Sequence, residues 1–336
     1  RYCKLPSSIV MRKLFAIVIV GCLPFIHLHC QDVDKSSNGS KDASIKGFQS
    51  LKKAVSFLVV GDWGRNGEYM QLETAKQMGT AAAQLEAACI VSVGDNFYPK
   101  GVESTLDPLW QSSFEKIYTA HSLQEDWFVV LGNHDYKTNP QAQIDYSKIS
   151  RRWKMPARYF TQKLEAGKEN ETLLVFLDTS PFEKKYYTDE EDLFRENVQA
   201  QAADTITQKK WLDSVLVNSK AKWKLVFGHH PFYSAGKRKG LTDDVASSLQ
   251  YILTKNKVDA YIAGHEHHLE HDVLPGNLHH FISGAGSEVR PVTNNVFTKF
   301  VAAEHGFMSF SVAEKSILVQ VVNHEGKLLY SYSIQK

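Results

Sequence analysis

Val91-Ser92-Val93-Gly94-Asp95-Asn96-Phe97-Tyr98 is an apolar run that stops at Gly-Asp, with a tyrosine three residues beyond the carboxylate. The β-branched valines predict a buried strand. A strand ending at Gly94-Asp95 places its carboxylate on a loop at the strand's carboxyl end, where open α/β sheets bind ligands. Alone, Gly-Asp-Asn also reads as a turn, because these residues tolerate tight backbone geometry. The rest of the chain favours the first reading. Ala54 to Gly61 is another continuous apolar run, ending in Asp62-Trp63-Gly64, and Trp127 to Leu131 ends in Gly132-Asn133-His134-Asp135. Trp223 to Phe227 delivers Gly228-His229-His230-Pro231, and Val258 to Ala263 delivers Gly264-His265-Glu266-His267-His268.

Helical patterns fall between these runs, over Glu68 to Ala88, Leu106 to Thr119, Pro140 to Ile149, Ile206 to Val217 and Asp243 to Lys255. Thr172 to Leu177 reads as a further strand leading into Asp178-Thr179-Ser180. Strand–helix alternation predicts a layered α/β domain. From Leu269 onward the helical pattern stops, and Leu278 to Ile282, Gly306 to Ser311, Ile317 to Val322 and Leu328 to Ile334 alternate as strands. They are expected to form a second sheet packed on the first. Pro181 to Asp204, with the acidic run Asp189-Glu190-Glu191-Asp192, interrupts the rhythm and reads as an exposed insertion, or alternatively a lid.

The 336 residues are 43% hydrophobic, enough for a sizeable core, and a net charge of +2 gives no sign of a nucleic-acid or membrane surface. Three of the four cysteines, Cys3, Cys22 and Cys30, lie in or around an export-like segment, so disulfides are not the organising device. That segment is Met11-Arg12-Lys13 followed by an apolar run to Gly21, too short to span a bilayer. Arg1 to Val10 precede Met11, a candidate initiator. Ile19-Val20-Gly21-Cys22 is similar to a bacterial lipoprotein box, which would make Cys22 a lipid anchor; the alternative is cleavage near Cys30-Gln31. The expected division is residues 1–30 upstream and signal sequence, 31–52 flexible tether, and 53–336 one catalytic domain. Export to the periplasm, cell surface or medium follows from it.

Five strand ends together offer Asp62, Asp95, Tyr98, Asn133, His134, His229, His265 and His267. Hard oxygen donors mixed with imidazoles suit Fe, Zn or Mn rather than a thiolate-bound metal. Two adjacent metals need a shared carboxylate, an arrangement that recurs in phosphatases.

Asp62-x-Gly64, Gly94-Asp95-x-x-Tyr98, Gly132-Asn133-His134-Asp135, Val226-x-x-His229 and Gly264-His265-x-His267 resemble the motifs of the purple acid phosphatases. The resemblance spans nearly all of residues 54 to 334. Tyr146 to Ser150 and Ser283-Gly284-Ala285-Gly286 are similar to the small, single-domain type that includes the mammalian tartrate-resistant enzymes. The wider metallophosphoesterase superfamily has Asp-x-His as its first motif; here Gly64 stands at that position and Tyr98 adds a phenolate. The resemblance implies an α/β (α+β) fold, a four-layer αββα sandwich of two mixed β-sheets flanked by helices. It implies Fe3+ held by Asp62, Tyr98 and His267, a divalent ion (Fe2+, Zn2+ or Mn2+) held by Asn133, His229 and His265, and Asp95 bridging the two. The implied activity is an acid phosphatase, in which a metal-bound hydroxide attacks phosphomonoesters or phosphorylated peptides in line with the leaving alcohol. His134 would contact the phosphoryl oxygens or protonate the leaving group, His230 is a second candidate for that pocket, and Asp135 would orient His134. Small members of the family are mostly monomers. The alternatives are a phosphodiesterase or nucleotidase on the same scaffold, and a metal-binding surface protein without turnover.

Overall fold

The computed structural model describes residues 44–165, 171–238 and 240–336. The export-like segment, Cys22 and the tether as far as residue 43 lie outside them. The remaining tether residues do not hang free. Ile45 and Phe48 are buried, Gln84 brackets them through Ile45 N, Ile45 O and Phe48 O, and Leu51 N donates to Ser311 Oγ. The body therefore begins by Ile45, earlier than the apolar pattern alone suggests.

Among the described residues, fourteen strands form two seven-stranded mixed sheets. In the first, β1 (Val55–Val60), β2 (Cys89–Ser92), β3 (Asp126–Val129) and β4 (Trp153–Lys154) pair in parallel. In the second, β5 (Phe160–Glu165) lies antiparallel to β6 (Glu171–Phe176), which continues in parallel to β7 (Trp223–Phe227) and β8 (Ala260–Ala263). The later strands are β9 (Leu269–Leu274), β10 (Leu278–Ser283), β11 (Thr298–Ala302), β12 (Gly306–Val312), β13 (Ser316–Asn323) and β14 (Leu328–Gln335).

Those six do not form a sheet of their own, contrary to expectation. β12, β13 and β14 extend the first sheet beyond β1, whereas β10, β9 and β11 extend the second beyond β8. Alternation marks a strand but carries no information about its partner. Burial does: all seven residues of β12 are buried, which requires neighbours on both faces and a place inside a sheet.

The sheets meet through aromatic side chains. Phe57 of β1 lies 6.2 Å from Phe227 of β7 and 5.3 Å from Phe310 of β12, centroid to centroid. Burying each such ring contributes about 2–3 kcal/mol. Helix α1 (Gln71–Leu85) covers the first sheet with Ala75, Met78, Ala82 and Leu85, one face at helical spacing. Helix α2 (Pro140–Tyr146) follows the β3 loop, and the helix expected over Leu106 to Thr119 shrinks to a π-type turn, Trp110–Glu115. On the second sheet, Leu212 and Leu216 of α4 (Asp204–Asn218) and Val245, Leu249 and Leu253 of α5 (Asp243–Lys255) pack on Val175, Val226 and Tyr261.

The charged interval is not a bare exposed insertion. It forms two short 3-10 turns and α3 (Asp192–Gln199), with Tyr186, Phe194 and Val198 buried. Asn197 Nδ2 donates to the Tyr136 and Thr138 carbonyls, and Glu191 pairs with Lys137 and Lys100. No helix among the described residues is long and apolar enough to cross a membrane.

Candidate metal centre

Parallel pairing puts the carboxyl ends of β1, β2 and β3 at one edge of the first sheet, and those of β7 and β8 at one edge of the second. The five donor-bearing loops meet there. Asp62, Asp95 and His265 all adopt left-handed backbone (φ 59°, 50° and 68°), costly for residues with a Cβ and typical of functional sites. Gly64 explains the missing histidine of the first motif: a Cβ there would overlap the Asn96 carbonyl oxygen.

The donors fall into two groups. In one, the Tyr98 hydroxyl lies 3.1 Å from Asp62 Oδ1 and 3.1 Å from His267 Nε2. In the other, Asn133 Oδ1 lies 2.9 Å from His265 Nδ1 and 3.3 Å from His229 Nε2. Asp95 stands between them, its Oδ2 3.0 Å from the Tyr98 hydroxyl and its Oδ1 3.4 Å from His229 Nε2. The loops hold the donors in place: His265 N donates to Asp62 Oδ2, His134 N to Asp95 Oδ1, and His229 Nδ1 to the Val93 carbonyl. The last bond leaves His229 Nε2 as the inward nitrogen.

Every one of these donors is at most 9% exposed. Burial pushes the Tyr98 hydroxyl well above its usual range, and Asp62 and Asp95 add to this. Burial works against ionising Asp95, but His229 and His134 outweigh it and hold the carboxyl well below its usual range. Burial likewise works against protonating His229, yet Asp95 lifts it to about 9. A single phenolic proton faces three acceptors at Tyr98, and two buried carboxylates lie within 4.8 Å of one imidazole, His229. Such a set is short of positive charge, and a pair of cations fits it.

The remaining sequence candidates sit differently from expectation. His134 presents its ring to the Tyr98 ring at 4.5 Å and is 22% exposed, but its Nδ1 donates to the Pro99 carbonyl at 2.6 Å, not to Asp135. Asp135 is buried and accepts from Gly132 N, Asn96 N, Asn96 Nδ2 and Phe97 N. It ties the β2 and β3 loops together rather than orienting His134. Burial, and then Asp95, push its carboxyl up.

His230 is also displaced from its expected role. It is fully buried, with Nδ1 2.8 Å from Thr179 Oγ1 and Nε2 2.9 Å from the Tyr186 hydroxyl. Thr179 Oγ1 already accepts from His229 N and His230 N, so its own proton goes to His230 Nδ1. His230 Nε2–H then donates to Tyr186. A nitrogen of His230 does lie within 4.8 Å of His229 and His265, but with both nitrogens engaged it is a wall of the site and not a donor into it.

Sequence reasoning missed Arg238, whose Nη1 lies 3.2 Å from His265 Nε2 and 2.9 Å from the His265 carbonyl oxygen. The basic run Lys237-Arg238-Lys239 was the available signal. It also missed Arg65, which follows Asp62-Trp63-Gly64 directly and stacks on Tyr98.

The calcineurin-like phosphoesterase family matches residues 55–269. The chain is 34% identical to purple acid phosphatase 7 of Arabidopsis thaliana, with 98% of this chain and 96% of that protein covered. It is 32% identical to tartrate-resistant acid phosphatase type 5 of Oryctolagus cuniculus, covering 84% and 91% respectively. Among solved structures it is similar in fold to GAP50, the anchor in the inner membrane complex of Plasmodium, with a TM-score of 0.72, 23% identity, and 84% and 89% of the two chains covered. The chain therefore belongs to the calcineurin-like phosphoesterase family and, within it, to the purple acid phosphatases.

Proposed function

We propose that the chain is an exported acid phosphatase that hydrolyses phosphomonoesters at a two-metal centre within one catalytic domain. The observation that carries this reading is Asp95, whose two carboxylate oxygens face opposite donor groups. Asp62, Tyr98 and His267 would hold a ferric ion, Asn133, His229 and His265 a divalent ion (Fe2+, Zn2+ or Mn2+), and Asp95 both. Anionic oxygen donors suit the trivalent side, and a neutral amide with two imidazoles suits the divalent side. Bound there, such a pair supplies Lewis-acid polarisation of phosphoryl oxygens, an activated water, and a tyrosinate-to-ferric colour.

The chain's own residues do the rest. His134 is the most exposed member of the set, and the Pro99 carbonyl fixes its Nδ1–H, so Nε2 is the atom that carries a proton to the leaving oxygen. Arg238, beside His265, supplies a fixed cation for phosphoryl oxygens. Tyr186, His230 and Thr179 form a buried polar wall that holds water away from the His229–His265 side. Small phosphate esters and phosphorylated peptides are the substrate class, and export follows from the Met11 to Gly21 pattern. A surface protein without turnover would be marked by a lost donor, and the sequence keeps all seven expected donors and His134.

The test is the visible absorption spectrum of the purified protein with metal analysis of the same sample. The expected result is a purple band that Tyr98→Phe abolishes, two metals per chain including iron, and phosphatase activity in acid. A colourless protein holding two zinc or manganese ions overturns the ferric assignment, and a chain that binds no metal overturns the whole reading.

A further inference from the structure

The Tyr98 ring has two close neighbours. His134 lies against it, and the Arg65 guanidinium lies on the ring with Cζ 3.8 Å from the centroid. Arg65 Nη2 donates to Glu288 Oε2 at 2.7 Å, and the same oxygen lies 3.6 Å from His267 Nδ1. His267 Nδ1 is buried and has no hydrogen-bond partner, while its Nε2 faces Tyr98. A single ion pair, drawn from positions 223 residues apart, therefore touches two of the three donors of the Asp62–Tyr98–His267 group and none of the Asn133–His229–His265 group.

We propose that Arg65 and Glu288 are positioning residues that tune the tyrosine half of the centre, Arg65 through the Tyr98 ring and Glu288 through His267. This rests on the ferric–tyrosinate reading above. The physical chemistry has a sign. A cation on the face of a phenolate stabilises the filled ring orbital that donates the electron in the charge-transfer band, so it raises the transition energy. Glu288 partly neutralises that cation, and its nearness to His267 Nδ1 matches the carboxylate partner that metal-binding histidines take on their outward nitrogen. Removing Arg65 should then shift the band to longer wavelength, whereas removing the Glu288 charge, which acts through His267, should show in iron retention. The same residues should leave the divalent half alone.

The experiment is the visible spectrum and iron retention of the metal-loaded protein, comparing wild type with Arg65→Met, Arg65→Lys, Glu288→Gln and Tyr98→Phe. The expected results are a red shift in Arg65→Met and a smaller one in Arg65→Lys, which keeps the charge but not the planar stack. Iron retention should fall about tenfold or more in Arg65→Met and Glu288→Gln, with the divalent ion kept. Glu288 is half-exposed, so Glu288→Gln reports even where Arg65→Met does not fold. A band that Tyr98→Phe abolishes but that stays at the wild-type position in the Arg65 variants, or iron retention unchanged in Glu288→Gln, overturns the tuning role and leaves the centre standing. A wild-type protein with no band for Tyr98→Phe to remove overturns the ferric–tyrosinate reading, and the tuning role with it.

Discussion

Glu183 gives a sharp test of how the 181–204 segment is anchored. It lies at the root of that segment, 1% exposed, with Oε2 3.7 Å from Lys185 Nζ and Oε1 accepting a long bond from Val245 N at 3.4 Å. Burial, only partly offset by Lys185, raises its carboxyl from 4.5 to about 7. A raised carboxyl means that the folded state holds the proton more tightly than the unfolded chain does. Stability is therefore fully present below pH 4.5 and is lost as pH rises through 7, where the buried group must ionise. The gap between 4.5 and about 7, at about 1.4 kcal/mol per pH unit, amounts to about 3 kcal/mol. Glu183→Gln keeps the shape and abolishes the charge. Urea unfolding of both proteins below 4.5 and above 7 should show near-equal stability in acid, and the variant more stable by about 3 kcal/mol at the upper pH. Parallel losses in the two proteins across that window would refute the reasoning. A segment tightened in acid suits an enzyme that works there.

Under the proposed two-metal reading, three substitutions separate the shared donor from the one-sided donors and from the loop anchor. Asp95→Ala should weaken retention of both metals together, because its two oxygens face different groups, whereas Asn133→Ala should lose one equivalent and keep the purple band; metal analysis after dialysis distinguishes them. Asp135→Asn turns an acceptor of four N–H groups into a side chain that itself carries N–H donors. In either amide orientation at least one donor loses its partner and faces an N–H group instead, a cost on the order of 2 kcal/mol that urea denaturation would register.

The centre was far more legible than its surroundings, for a physical reason. Asp62, Asp95, Asn133, His229 and His265 each sit just past a continuous apolar run, and parallel pairing of those runs brings their ends together. Short-range pattern and one topological rule suffice for them. What lay hidden depends on contacts between distant segments. Asp135 looks like a partner for its neighbour His134, yet its donors come from residues 96, 97 and 132, and a carbonyl at Pro99 takes the His134 proton. His230 looks like a second substrate histidine until Tyr186, 44 positions away, closes its Nε2. The C-terminal strands fail for the same reason, because Phe310 chooses Phe57 across an antiparallel pair that no local period specifies.

The five loops share a feature that links motif to geometry. The first donor of each loop follows a glycine: Gly61-Asp62, Gly94-Asp95, Gly132-Asn133, Gly228-His229 and Gly264-His265. The reason differs from the usual one for turns, since only Gly94 has a positive φ among these five. Crowding is the common cause. A Cβ on Gly132 would overlap Asp95 Oδ1, one on Gly264 would sit 2.5 Å from Asp62 Oδ2, and one on Gly94 would sit 2.6 Å from His229 Nδ1. At Gly61 and Gly228 the crowding comes instead from Val93 and Tyr261, so in three of the five loops the backbone passes beside a neighbour's donor and in the other two beside the packing around it. Glycine before the donor is thus the sequence mark of convergence itself. It separates these five strand ends from Asp178, which also follows an apolar strand but is preceded by Leu177, and whose carboxylate accepts from the Tyr136 hydroxyl outside the donor cluster.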